Sequence, residues 1–261
     1  MNMRKSEGQV ISLKWSLTLT ISLIVIALGL VGSLKSQNSD HPLRVLFIGN
    51  SLTYSNDLPY IVEAFAEAAG QKRIAFRAVV YGGFSLEDHW NQGEARRAIA
   101  QGKWDVVVLQ QGPSASTEGR RLLLEYAHRF MPEIQRAGAK PALYMVWPSA
   151  SRKQDFDGVA ESYSRAAKDV EGLLFPVGEA WRGAWKRNPQ LAFYSPDGLH
   201  PTVAGSYLAA LVIYEQLCGQ SPIGLPSELK LRSGAKVELP LEQARLLQEA
   251  AAEANKRFGR R

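Results

Sequence analysis

The sequence of 261 residues has a single cysteine, Cys218, and only four histidines. One cysteine cannot pair within the chain, so no intramolecular disulfide braces the fold. Following the apolar pattern of residues 207–217, Cys218 reads as a small buried hydrophobe rather than a reactive thiol. Histidine, cysteine and carboxylate residues nowhere gather at metal-ligand spacing, so neither a metal nor another cofactor is expected. Also missing is any run in which basic and aromatic residues interleave, which argues against a nucleic-acid partner despite a formal charge of +6. Without residues 1–34, which carry Arg4, Lys5 and Lys14 against Glu7, the charge falls to +4. Much of the positive charge is dispersed or sits at the end, in Lys256, Arg257, Arg260 and Arg261, where weak attraction to an anionic envelope or membrane surface is the better reading. No internal repeat or low-complexity tract divides the chain. With 46% hydrophobic residues it can bury a substantial core without disulfide or metal.

Long hydrophobic runs are scarce too. The only one, residues 17–34, follows Arg4, Lys5 and Lys14 and precedes a polar segment, the order of an N-terminus held inside with the body sent outside. It is long for a signal-peptide core and short for a span, so residues 1–35 read as a signal peptide or a membrane anchor. No cysteine lies nearby to carry a lipid. Residues 36–42 are a short polar linker. The expected location is outside the cytoplasm: periplasmic, extracellular, or anchored and facing outward, with membrane contact through the N-terminal segment if it is not cleaved.

The body of the chain is organised around residues 44–59. Arg44-Val45-Leu46-Phe47-Ile48 is a β-branched, apolar run too short for a helix and reads as a buried strand of a parallel sheet. It stops at Gly49-Asn50, and Pro59 opens an amphipathic helix continuing through Ile61, Val62, Ala64, Phe65 and Ala68. Ser51 therefore stands on a strand-to-helix turn at the carboxyl edge of the sheet, where ligands bind and free N–H groups favour developing negative charge. It can be a nucleophile beside an oxyanion hole, or a serine that merely caps the helix.

Nearly 150 residues later comes Ser195-Pro196-Asp197-Gly198-Leu199-His200-Pro201-Thr202. An Asp three residues before a His, in a loop stiffened by Pro201, can bond the imidazole and fix its tautomer, leaving the other nitrogen to take a proton from Ser51. No other histidine follows an Asp in a loop beyond the last strand. Gly49-Asn50-Ser51-Leu52 and Asp197-Gly198-Leu199-His200 resemble the first and last signature blocks of the SGNH (GDSL-type) hydrolases, an esterase and lipase superfamily that includes carbohydrate deacetylases. The resemblance spans residues 43–220, with Asn50 where Asp is usual. It implies a flavodoxin-like three-layer α/β/α sandwich with a five-stranded parallel sheet, and a Ser51, His200, Asp197 triad. For the oxyanion it implies the N–H groups of Ser51 and Gly83, or Gly82 in place of Gly83. The family's third block usually supplies an Asn; here Gln110-Gln111-Gly112 resembles the Gln-Gly version of some carbohydrate esterases, so the Gln111 amide would complete the hole, with Ser114 the alternative by spacing.

Between the blocks, strands are expected at residues 74–81, 104–109, 141–147 and 173–177. Helices are expected around Leu86 and Trp90, at 117–137, through Tyr163 and Val170, and at 178–185. Five alternations of strand and helix argue a doubly wound parallel sheet. His89 falls in the helical pattern as a helix-surface or pocket-wall residue, and His128 as solvent-facing. Trp147, at the strand end, either lines the acyl or leaving-group pocket or belongs to the core. Residues 221–261 read as an extension packing on the domain, with a helix over 241–258. The expected function is hydrolysis of a small acyl ester, acetyl first, on a small molecule or glycan. Alternatives are an envelope O-acyltransferase and a non-catalytic flavodoxin-like binding protein, since Ser51-Leu52-Thr53-Tyr54-Ser55-Asn56 also resembles a hydroxyl-rich phosphate loop.

Overall fold

The computed structural model describes residue 1 and residues 41–71 and 73–259. The expected signal peptide or anchor and most of the linker lie outside the described residues. Among the described residues no helix is long and apolar enough to cross a membrane.

Strand β1 (Leu43–Gly49) has Val45, Leu46, Phe47 and Ile48 fully buried, because it is paired on both edges and covered on both faces. A four-residue helix, α1 (Ser51–Tyr54), and a short 3-10 turn lead into α2 (Leu58–Ala68), which has Pro59 in its first turn and packs Ile61, Val62 and Phe65 inward. Strand β2 (Ile74–Val80) follows, then α3 (Leu86–Gln92), opened by a capping box in which Ser85 and Asp88 bond each other's N–H groups. The sequence pattern did not reveal α4 (Glu94–Gln101), whose buried stripe is only Ala95, Ala98 and Ile99. Next come β3 (Val106–Leu109), the long α5 (Thr117–Arg136), β4 (Lys140–Tyr144), α6 (Phe156–Asp169), β5 (Leu173–Phe175), α7 (Val177–Arg187) and α8 (Val203–Cys218).

The five strands form one all-parallel sheet in the order β2-β1-β3-β4-β5. The chain steps outward from β1 to β2 and then returns past β1 to β3, so successive right-handed crossovers fall on opposite faces. Helices α2, α7 and α8 pack together, and α3 to α6 form a second contiguous layer. Helix α8 is buried nearly all round because α9 (Leu241–Phe258) covers it and α7 from outside, following a small antiparallel hairpin of β6 (Glu228–Lys230) and β7 (Lys236–Glu238). The reversal of direction at β1 and β3 leaves a crevice between their carboxyl ends, the usual place for a ligand in this architecture. Ser51 follows β1, and Gln110-Gln111-Gly112 follows β3.

Candidate active site

The turn after β1 is shaped by three side chains. Asn50 caps α1, its Oδ1 accepting from Leu52 N–H at 3.1 Å, and its Nδ2 donates to the Phe84 carbonyl at 3.0 Å. Because Asn50 takes the capping role, the Ser51 hydroxyl is left for another partner. Fully buried Gln110 bolts the turn from β3: its Oε1 accepts from Asn50 N–H at 2.8 Å and from Thr53 Oγ1 at 2.7 Å, while its Nε2 donates to Asn50 Oδ1 at 3.0 Å and to the Gln111 carbonyl at 2.7 Å. Gly49 is required there, since a side chain at this position would strike Gln110 Oε1 and Thr53 Oγ1.

From the far end of the chain, His200 Nε2 lies 2.8 Å from Ser51 Oγ, and His200 Nδ1 lies 2.5 Å from Asp197 Oδ2. An ionised carboxylate only accepts, so Nδ1 carries the proton and the Ser51 hydroxyl donates to bare Nε2. Asp197 Oδ1 accepts from the N–H groups of Leu199 at 2.8 Å and His200 at 2.9 Å. The Leu199 N–H, then the His200 imidazole and N–H, hold the Asp197 carboxyl down at about 2. Both side chains reach solvent, His200 with 37% and Asp197 with 50% of their surface exposed, so a substrate can approach.

Several ties fix the loop that carries Asp197 and His200. Trp147, which the sequence left between pocket and core, is fully buried and stacked on Trp181 at 3.7 Å; its Nε1 donates to the Leu199 carbonyl at 3.0 Å. Tyr194 Oη donates to the Pro148 carbonyl at 2.7 Å, and Ala150 N–H donates to the Gly198 carbonyl at 2.7 Å. Asn56 Nδ2 donates to the Pro201 carbonyl and to Ser206 Oγ, each at 2.9 Å. Asn56 and its neighbour Asp57 both take left-handed φ, 52° and 57°. Non-glycine residues in that region cost about 1 kcal/mol or more each and persist where the surroundings hold them, typically near functional sites.

Of the expected oxyanion groups, Ser51 and Gly83 have backbone N–H groups that, among the described residues, donate to nothing else. Gly83 has φ +75°, and the space where a side chain would stand is open. Gln111 differs from expectation. Its side chain turns inward, only 5% of the residue is exposed, and Nε2 donates to Ser114 Oγ at 3.0 Å and to the Gly119 carbonyl at 3.1 Å, while Oε1 accepts from Leu86 N–H at 3.1 Å. With both amide hydrogens spent, Gln111 is a brace for the β3 loop rather than a donor to substrate. Ser114 is no replacement, for its hydroxyl donates to the Gly112 carbonyl at 2.9 Å.

His89 is corrected as well. It is fully buried, with Nε2 2.8 Å from the Gly49 carbonyl, so its N–H pins the end of β1 from beneath. Burial lowers its pKa, and Nδ1 has no partner among the described residues. His128 is exposed, as the pattern of α5 required. Sequence reasoning missed Gln110, Asn56 and Trp147 as organisers of the site. For Gln110 the available signal was a glutamine at the end of a wholly apolar strand.

Beside Leu199 a cavity of about 300 Å³ opens between Pro113, Ser116, Pro148, Ser149 and Arg152. Arg152 Nε donates to Asp155 Oδ2 at 2.5 Å along its rim. Among the described residues no group of three or more His, Cys, Asp or Glu side chains is placed to hold a metal ion.

No protein-family profile and no curated protein matches the chain. Solved structures do. A candidate SGNH hydrolase from Slackia heliotrinireducens is 29% identical and superposes with a TM-score of 0.57 over 68% of this chain and 100% of its own. A lipase/acylhydrolase from Enterococcus faecalis, 17% identical, gives a TM-score of 0.57 over 67% of this chain and 95% of that one. A variant of an acetylxylan esterase from Geobacillus stearothermophilus, 16% identical, gives 0.55 over 68% and 94%. The last two share the fold, and the first shares sequence as well; with its β2-β1-β3-β4-β5 parallel sheet the chain is thus similar to SGNH-like (GDSL-type) hydrolases.

Proposed function

We propose that the chain is a serine esterase that removes a small acyl group, acetyl in the first place, from a hydroxyl of a carbohydrate. One observation carries the mechanism: Ser51 Oγ, His200 and Asp197, from segments 149 residues apart, stand in a hydrogen-bonded line of 2.8 and 2.5 Å. Ser51 Oγ attacks the ester carbonyl carbon as its proton passes to His200 Nε2, and the carbonyl electrons move to oxygen. The N–H groups of Ser51 and Gly83 receive that oxyanion. His200 then gives the proton to the leaving alcohol and, in the second half, takes one from water attacking the acyl-enzyme. Asp197 keeps the imidazole in the reactive tautomer and stays ionised throughout.

The cavity beside Leu199 sets Ser149 and the Arg152–Asp155 pair among Pro113, Pro148 and Leu199, a mixed polar and apolar wall that suits a sugar ring. The likeness to an acetylxylan esterase agrees with an acetylated sugar. The apolar run of residues 17–34 in the sequence supports an activity outside the cytoplasm, where such glycans are met. The test is turnover of aryl acetate, longer aryl esters and acetylated xylo-oligosaccharides by the protein, with Ser51→Ala and His200→Ala alongside. Turnover of acetates that disappears in both folded variants supports the reading; equal turnover in Ser51→Ala overturns it.

A further inference from the structure

Gln111 and Ser114 have spent their donors on the chain itself, so the oxyanion site keeps backbone N–H groups and lacks the side-chain donor that the sequence assigned to it. The hydroxyl of Tyr54 lies at the same edge. Tyr54 is the last residue of α1, three positions after Ser51, so the two side chains share a helix face and the longer one leans back toward the helix start. Its hydroxyl is where that lean would bring it: a side chain built on Gly82 would begin 3.3 Å from Tyr54 Oη. The phenol thus reaches from the nucleophile's helix to the Gly82-Gly83 turn, whose second residue offers its N–H. The absence of a side chain on Gly82 gives it that room.

Tyr54 is also unusual in its surroundings. It is 44% exposed, one of few large apolar side chains left in solvent, and among the described residues its hydroxyl has no hydrogen-bond partner. The next residues are not free to move it away. Ser55 Oγ donates to the Ser51 carbonyl at 2.7 Å, and Asn56, in left-handed backbone, is fastened to the histidine loop. A partnerless hydroxyl beside an oxyanion turn, on a residue whose backbone is tied down on its C-terminal side, is placed to donate to a developing oxyanion.

We infer that Tyr54 is a catalytic residue, the side-chain donor of the oxyanion hole. As Ser51 Oγ bonds to the carbonyl carbon and its proton passes to His200 Nε2, the carbon–oxygen π pair moves onto oxygen, and Tyr54 Oη–H donates a hydrogen bond to that oxygen while keeping its own proton. When the tetrahedral species collapses the pair returns, the alcohol leaves with the proton from His200, and Tyr54 is unchanged. The inference rests on the serine-esterase reading above.

The experiment is steady-state hydrolysis of aryl acetate and aryl butyrate by the full chain, as wild type, Tyr54→Phe and Tyr54→Ala. Reaction of each with a fluorophosphonate and its thermal melt are followed in parallel. Loss of one such donor lowers kcat by about a hundredfold. Tyr54→Phe is expected to show that loss in kcat with KM and melting temperature close to wild type, and Tyr54→Ala to be no worse on acetate. A Tyr54→Phe enzyme within threefold of wild-type kcat overturns the inference. So does a result in which only Tyr54→Ala changes, by improving butyrate over acetate, since that makes the ring a wall for the acyl group. If the wild type neither turns over an ester nor takes up the fluorophosphonate, the hydrolase reading itself has failed, and this inference with it.

Discussion

Asn56 joins the two segments of the candidate site directly: its side-chain amide donates to the carbonyl of Pro201, the residue after His200, at 2.9 Å. The same nitrogen donates to Ser206 Oγ at the start of α8. Asn56 is exposed, but its two bonds are partly buried and contribute about 1–2 kcal/mol, and at φ 52° Asn is also better tolerated than residues without a short polar side chain. Asn56→Ala is therefore expected to lower stability by about 2 kcal/mol, or several degrees in the melt of a chain this size. It is expected to lower kcat as well, since the Ser51–His200 distance loses its nearest tie. A differential scanning melt beside an aryl acetate assay checks both; an unchanged kcat would show that the other ties of the histidine loop suffice.

Asp197 sets a pH dependence whose sign is fixed. Its folded carboxyl, at about 2, lies below its ordinary 3.8. The ionised form is the one the fold stabilises, so this contribution is fully present above about pH 4 and fades as pH falls toward 2. Melting temperatures of wild type and Asp197→Asn, compared from pH 6 downward, should differ most at the upper end and converge near pH 2. The variant should be nearly inactive throughout, because an amide at this position does not hold the imidazole with Nδ1 protonated. A difference that grows toward acid would contradict the geometry.

His89 acts in a higher range. Burial keeps it neutral below its ordinary 6.5, and a proton added to Nδ1 would find no acceptor among the described residues. The unfolded chain takes up that proton more readily than the folded one, so stability is lost as pH falls below 6.5. His89→Gln keeps an amide N–H for the Gly49 carbonyl and removes the titration. Denaturant unfolding at pH 7.5 and pH 5.5 should show a larger loss for wild type than for the variant; equal losses would place the titration elsewhere.

Much of this was legible from residue pattern alone. Residues 44–48 read as a buried strand and Pro59 as the opening of a helix, and that pattern alone puts Ser51 at the sheet edge. Asp197 and His200 were legible because a short loop with fixed spacing constrains them locally. The Gln110-Gln111 pair was not. Two like amides at successive positions of an emerging strand point to opposite sides, and nothing in their identity says which one grips the β1 turn and which one turns into the β3 loop. His89 was misjudged because its partner is a backbone carbonyl 40 residues earlier, which no side-chain pattern records. Helix α4 was overlooked because alanines supply most of its buried stripe, and small side chains leave a faint period.

The contact between Gly49 and Gln110 has a bearing on descent. Any side chain at position 49 meets Gln110 Oε1, and Thr53 Oγ1 stands only 2.6 Å from the same point. Shortening Gln110 alone strands the Asn50 N–H and the Thr53 hydroxyl that it now satisfies. Each single change is harmful, and Gln110→Ala alone does not make room for a side chain at 49, because Thr53 Oγ1 still stands in its way. Positions 49, 53 and 110 are thus an epistatic set, expected to be inherited as a unit wherever the turn that carries Ser51 is kept.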